Sequence, residues 1–252
     1  MEPAGQRFIT YGDPDAWISL YGISDIHFGN AAVAKERLRR DIEIIRGDPL
    51  GFWLGCGDYA EYIPFDDPRF DPECVDDEEI TIKDLGDIGV ALTMGVARLL
   101  RPIAHRCLGS VFGNHEHKYM RLKNQRRLHD TMCVGLDVPN LHYSALFDIV
   151  FLYSPDSVGA SLHAEPPTEF ACEEVWRRRV HVHHGSGWAQ TTGGKINRIK
   201  SYLANFACDV SLSGHMHDRL AVPRITTRRR RSSSGGERTT RRRSPTPGTL
   251  SP

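Results

Sequence analysis

Over residues 1–227, short apolar runs alternate with longer stretches in which apolar residues recur every three or four positions. This is the sequence pattern of layered α/β architecture. Residues 17–23 form an apolar run that stops abruptly at Ser24, Asp25, Ile26 and His27. Helical spacing of Val33, Leu38, Ile42 and Ile45 follows over 31–46, and Gly47 is placed to end it. A second strand over 51–54 runs into Gly55-Cys56-Gly57-Asp58, and Ile88–Leu100 reads as a helix closed by Pro102. A third strand over 106–112 runs into Gly113-Asn114-His115-Glu116. The pattern then predicts a polar helix over about 117–133 and a hairpin or two strands over 141–153. A strand over 179–183, a helix near 196–206 and a strand over 210–213 complete it.

Two segments depart from this rhythm. Residues 65–87 carry ten acidic side chains and little apolar periodicity. Such a charge run reads as a solvated loop, or as a flap over the face that receives Asp58. Residues 228–252 have no aliphatic side chain before Leu250, so they cannot bury enough surface to offset their ordering entropy and are predicted to be disordered. Eight of the 32 basic residues and one of the 32 acidic ones lie there, which gives the tail +7 and leaves −7 on residues 1–227. The chain therefore divides into a folded domain, 1–227, and an Arg/Ser/Pro-rich tail, 228–252. The tail reads first as disorder without a selected role, with nonspecific attraction to nucleic acid as its functional reading and an accidental extension as the third.

Composition narrows the class. The 40% hydrophobic and 25% charged content is that of an ordinary globular protein. No apolar run approaches the roughly 18 residues that span a bilayer, and no basic-then-apolar leader opens the chain. The six cysteines are scattered without a CxxC pair, which argues against a disulfide framework and against thiolate-held zinc. A cytoplasmic location without membrane partners is expected.

The candidate chemistry sits where the apolar runs end: Asp25 and His27, Asp58, Asn114 and His115, His184, and His215 with His217. In open α/β sheets ligands bind outside the carboxyl ends of strands. Taken singly, each residue reads as a turn, a cap or a hydrogen-bonded core histidine. Five strand ends each delivering a hard or borderline ligand are difficult to explain as packing. Strand alternation puts Asp25 and His27 on one side of an extended backbone, and likewise His215 and His217. Gly57, Gly113 and Gly214 immediately precede three of these positions and permit close approach of the backbone. Carboxylate, amide and imidazole donors without thiolate suit manganese, iron or zinc.

The blocks SDIH, CGD, GNHE, HHG and SGHMH occur in the order of the signature blocks of calcineurin-like metallophosphoesterases, and the chain resembles that family over about residues 17–222. The resemblance implies a four-layer α/β/β/α sandwich with ligands on loops at strand C-termini. It implies two divalent metals, manganese first, with iron, zinc or nickel as alternatives. Asp25, His27 and His217 would hold one metal and Asn114, His184 and His215 the other, with Asp58 bridging. Catalysis would fall to Asp58, Asn114 and His115: a metal-bridging hydroxide attacks phosphorus in line, and His115 assists the leaving group. Glu116 would orient the His115 loop or a ligand histidine. Phe112 before GNHE, and GDYAEY in the second block, lack the phosphate-clamping arginines of protein phosphatases in this family. A phosphodiesterase or nuclease is therefore expected over a protein phosphatase. The stretch HHGSGWAQTTGGKINRIK resembles phosphoesterases encoded by phages and prophages, and in it Trp188 and Lys195 are candidates for lining the substrate pocket. His117 and His183 read as structural or substrate-edge groups. The other function classes are a nucleic-acid-binding module working through its tail and a catalytically silent scaffold; an intact ligand set speaks against both.

Overall fold

A computed structural model of the chain describes residues 3–168, 171–187, 191–217 and 220–221. Trp188, residues 222–227 and the basic tail 228–252 lie outside the described residues. Residues up to 217 belong to one compact unit, Met1–Asp218. In chain order its elements are β1 (Pro3–Tyr11), β2 (Ser19–Ile23), α1 (Lys35–Gly47), β3 (Gly51–Cys56), α2 (Ile88–Leu100), β4 (Cys107–Val111), α3 (Asn114–Leu122), α4 (Leu128–Leu136), β5 (Ser144–Tyr153), β6 (Ala160–His163), β7 (Glu173–His183), α5 (Thr192–Asn205) and β8 (Val210–Ser213). Strands β2, β3 and β4 form a parallel sheet in that order. The second, mixed sheet runs β6-β1-β5-β7-β8, with β1/β5 and β7/β8 parallel and the other pairs antiparallel. Among the described residues no helix is long and apolar enough to cross a membrane.

The period of two along β3 explains why all of it is buried. Phe52, Leu54 and Cys56 face one cluster, together with Ile9 and Tyr11 of β1, Phe147 and Ile149 of β5, and Val180 and Val182 of β7. That cluster fills the space between the two sheets. Trp53 points the other way, into a cluster with Ile42 and Ile45 of α1, Leu92 and Val96 of α2, and Met132 and Leu136 of α4. Its indole N–H donates to the Ile103 carbonyl at 2.7 Å, so the largest core side chain is buried with its polar atom satisfied. On the far face of the mixed sheet, His181 of β7 stacks on Phe206 beyond α5 at 4.0 Å.

Several elements differ from the sequence pattern. The interval 117–133 holds two helices, because Asn124 between them adopts a left-handed φ of 55° that no helix accommodates. The first begins at Asn114 itself, with the Glu116 carboxylate accepting from the Gly113 N–H at its cap at 2.8 Å. The interval 141–153 is one ten-residue strand, β5, and β1 and β6 are additional. The acidic segment 65–87 is not simply solvated. Its Asp67 is buried and paired with Arg69 and Lys118 at 3.0 and 2.9 Å, and its buried Asp76 pairs with Lys35 at 2.7 Å. The Asp76 N–H donates to the Gly29 carbonyl and the Ala31 N–H to the Cys74 carbonyl. Those bonds fasten the segment to the loop that follows His27.

Core histidines give the fold a built-in acid sensitivity. His129 is buried, its Nε2 lies 3.0 Å from the Ser110 hydroxyl, and burial pulls its pKa down to about 4. In the unfolded chain it titrates near 6.5. Between those values only the unfolded state takes up the proton, so stability falls as pH drops from about 6.5 toward 4, by at most about 1.4 kcal/mol per pH unit. His129→Asn is expected to be less stable at pH 7 but to show a shallower slope across this window in urea titrations. An unchanged slope would remove His129 from the account.

Candidate metal centre

The first link is the way two loops leave the parallel sheet side by side. Beyond the strand ends, the Asp25 N–H donates to the Gly57 carbonyl, the His27 N–H to Asp58, and the Phe28 N–H to Tyr59, at 2.9–3.2 Å. Glu116 ties in the third loop: its buried carboxylate accepts from the N–H groups of Asp58, Tyr59 and Gly113 at 3.0, 2.7 and 2.8 Å. Burial, with the Asp58 charge beside it, pushes the Glu116 carboxyl up to about 7. Glu116 thus holds backbone, including the His115 loop, and among the described residues its carboxylate bonds go to backbone N–H groups and not to a histidine. The mixed sheet is joined to this cluster by the Asp25 carboxylate, which accepts from the His215 N–H at 2.9 and 3.1 Å.

Five of the candidate residues sit in left-handed backbone: Asp25, His27, Asp58, His215 and His217, with φ between 47° and 70°. Such conformations cost on the order of 1–3 kcal/mol each outside glycine and cluster at functional sites. They also replace the extended alternation inferred for Asp25/His27 and His215/His217. The pairs share a site because their loops coil, not because a strand alternates. Close packing explains the glycines. A Cβ on Gly113 would lie 2.1 Å from Asp58 Oδ1, one on Gly57 2.8 Å from His184 Nδ1, and one on Gly214 1.8 Å from the Ser24 hydroxyl.

The structure brings the donors together in overlapping groups. Asp25, His27 and His217 have ligand atoms within 4.8 Å of one another, and so do Asp58, His184 and His215. A third such group is His27, Asp58 and His115, so Asp58 stands between the two sides. Asn114 Oδ1 lies 3.0 Å from His184 Nε2, which is also 3.0 Å from Asp58 Oδ2. His217 is exposed, whereas His184 and Asp58 are buried.

Ring orientation suits cations. The His184 Nδ1–H donates to the Cys56 carbonyl at 2.7 Å, which leaves the Nε2 lone pair facing Asp58 and Asn114. The His27 Nδ1–H donates to Glu61 Oε2 at 3.0 Å, and His27 Nε2 is then buried without a hydrogen-bond partner. An orphaned, oriented lone pair beside two carboxylates is what a metal ligand requires. Electrostatics agrees. Burial lowers both imidazole pKa values, but Glu61 and Asp58 outweigh it at His27, and Asp58 outweighs it at His184, so both end above the ordinary value. Burial raises the Asp58 carboxyl, yet His184 and His115 hold it down at about 2. The cluster therefore stabilises positive charge. On these observations the donor set fits divalent metal.

Glu61 is the residue that sequence reasoning missed. Besides holding His27, its carboxylate lies 3.9 Å from His115 Nδ1, and its carbonyl accepts from that same nitrogen. The available signal was a carboxylate three residues after Asp58 in GDYAEY. His115 also donates its backbone N–H to Asp58 Oδ1 at 2.9 Å, and its ring meets His27 edge-on at 4.7 Å. Lys195 of α5 donates to the Met216 carbonyl at 3.0 Å, between the two histidines of the last loop. Comparison of the chain with family models, curated proteins and solved structures finds no match in any of the three.

Proposed function

We propose that this chain is a dinuclear metal-dependent phosphoesterase acting on phosphodiesters. The observation that carries the reading is the convergence of five strand ends on one cluster of overlapping donor trios, with Asp58 shared between two of them and Asn114 3.0 Å from His184. Asp25, His27 and His217 would hold one ion; Asn114, His184 and His215 the other; Asp58 both. Two divalent ions held there supply an activated water for in-line attack and charge stabilisation at the phosphoryl oxygens. The chain's own part is to orient and to move a proton. Glu61 fixes the His27 ring, and the Cys56 carbonyl fixes His184. His115, whose Nδ1 is engaged by the Glu61 carbonyl, would use Nε2 to give a proton to the departing alkoxide. Two sheets sharing a core, with helices on the outer side of one and α5 on the far face of the other, support the finer reading as a four-layer α/β/β/α sandwich. Carboxylate, amide and imidazole donors without thiolate would suit manganese, the first expectation from the family resemblance, and equally iron, zinc or nickel.

The test is metal stoichiometry together with substrate profile. Protein reconstituted with manganese is expected to bind close to two equivalents and to hydrolyse bis-nitrophenyl phosphate faster than nitrophenyl phosphate; chelation should abolish both. Hydrolysis by metal-free protein would sink the proposal. A second expectation concerns Glu61. Replacement of a group that orients a metal-bound histidine costs about 10–100-fold in affinity. Glu61→Ala is expected to weaken manganese binding by that factor in calorimetric titrations, with Glu61→Gln falling between.

A further inference from the structure

Beside the trio of Asp58, His184 and His215 runs a row of rings that starts at Phe112 on the edge of the core and continues through rings that the metal chemistry does not employ. Phe112 stacks on His117 at 5.9 Å and 24°. His117 meets Tyr143 at 6.3 Å, Tyr143 meets His183 edge-on at 4.8 Å, and His183 meets Tyr202 of α5 at 5.3 Å. The row is anchored to the candidate centre by covalent neighbours. His183 precedes His184, and His117 lies one turn along α3 from Asn114. His117 and Tyr143 are exposed, the latter by 40%.

A single surface aromatic needs no explanation. Here five rings form a line whose members His117 and His183 adjoin metal-ligand candidates; His183 Nδ1 already accepts from the Gly185 N–H at 2.8 Å, but other polar tips along the line are unused. Neither the His117 ring nor the Tyr143 hydroxyl has a hydrogen bond among the described residues, and the Tyr202 hydroxyl is buried without a partner. Flat apolar faces with unused polar edges match one ligand chemistry well. An unpaired nucleobase offers a π-face of the same width and donors and acceptors around its rim. The −7 balance of residues 1–227 disfavours a long polyanion lying across the domain, so a short or terminal nucleotide fits better than an extended strand.

We propose that the His117, Tyr143 and His183 rings are a stacking site for an unpaired nucleobase whose phosphate lies at the neighbouring metal trio. This assignment rests on the phosphoesterase reading and adds its substrate class. The test uses manganese-loaded full chain and three esters with one leaving group: the nitrophenyl esters of thymidine 5′-phosphate, methyl phosphate and phenylphosphonate. The thymidine ester is expected to show a KM roughly tenfold below that of the methyl ester, the usual worth of one stacked base. Tyr143→Ala and His117→Ala should each shrink that ratio, whereas Tyr143→Phe, which keeps the ring, should preserve it. An equal advantage for the phenyl ester would overturn the assignment to a nucleobase. Quenching of 2-aminopurine riboside 5′-phosphate reports stacking without turnover. Quenching lost in Tyr143→Ala but retained in Tyr143→Phe supports the site even if no ester is hydrolysed, an outcome in which the phosphoesterase reading falls alone. Hydrolysis of all three esters with equal KM and no quenching would overturn the stacking site and leave the phosphoesterase reading standing.

Discussion

Asp58→Asn is expected to strip metal from both sides of the centre and to lower diester hydrolysis by about 10³-fold or more. Its Oδ1 accepts from the His115 backbone and its Oδ2 lies 3.0 Å from His184, so both oxygens already face the cluster from a buried position. Asparagine keeps the shape and removes the charge that two cations would share. Several kcal/mol of transition-state stabilisation come from such ions, and each 1.36 kcal/mol is tenfold in rate. Loss of the exposed His217, by His217→Ala, should empty one side only. Elemental analysis after gel filtration, with circular dichroism to verify folding, separates the cases: near zero equivalents for Asp58→Asn, about one for His217→Ala. Two equivalents retained in Asp58→Asn with normal turnover would end the dinuclear proposal.

The second large effect is expected at His115, and there binding and chemistry should part. His115→Ala is expected to keep its metal yet lose about 10²–10⁴ in kcat, the range for general acid–base help. The loss should be smallest with nitrophenolate, which departs without a proton, and largest with an alkyl leaving group. The geometry makes this a demanding test, because His115 also falls within ligand distance of His27 and Asp58. If His115→Ala releases metal instead, the residue is a ligand and its role as proton donor has to be abandoned.

Much of the fold was legible wherever an apolar run ended abruptly in polar residues. Strands β2, β3, β4 and β8 end within two residues of their expected limits, and α2 coincides with the expected helix. The candidate donors were legible for the same reason, since a strand edge is the place where a polar side chain can leave the core. What escaped depends on tertiary pairing. Strand β7 begins as Glu173-Glu174-Val175-Trp176-Arg177, an exposed, charged stretch with no strand alternation; pairing with β5 makes it a strand. Strand β1 carries Gln6 and Arg7 in its middle, and Arg7 donates to the Leu108 carbonyl, a partner no local pattern reveals. Glu61 was passed over because a lone carboxylate in a loop reads as solvated until His27 is placed against it. The left-handed turns at Asp25, His27, His215 and His217 were equally hidden: histidine and aspartate tolerate positive φ better than most residues, but nothing in their sequence announces it.

The hydrogen bonds from the His215 amide to the Asp25 carboxylate span 190 positions of the chain. During synthesis, at about 5–20 residues per second, the first donor loop therefore leaves the ribosome many seconds before its partner exists. The parallel sheet and its helices can collapse in that interval, since α1, α2 and α4 close over β2, β3 and β4 using residues before 139. A chain folded that far would present Asp25, His27, Asp58 and Asn114 to cellular cations while His184, His215 and His217 are still absent. Incomplete sites of that kind hold metal weakly and exchange it fast. On the dinuclear proposal, the ion that occupies the centre would thus be selected after the last strand docks, under the metal supply of that moment, and not by whichever cation the nascent chain encounters first.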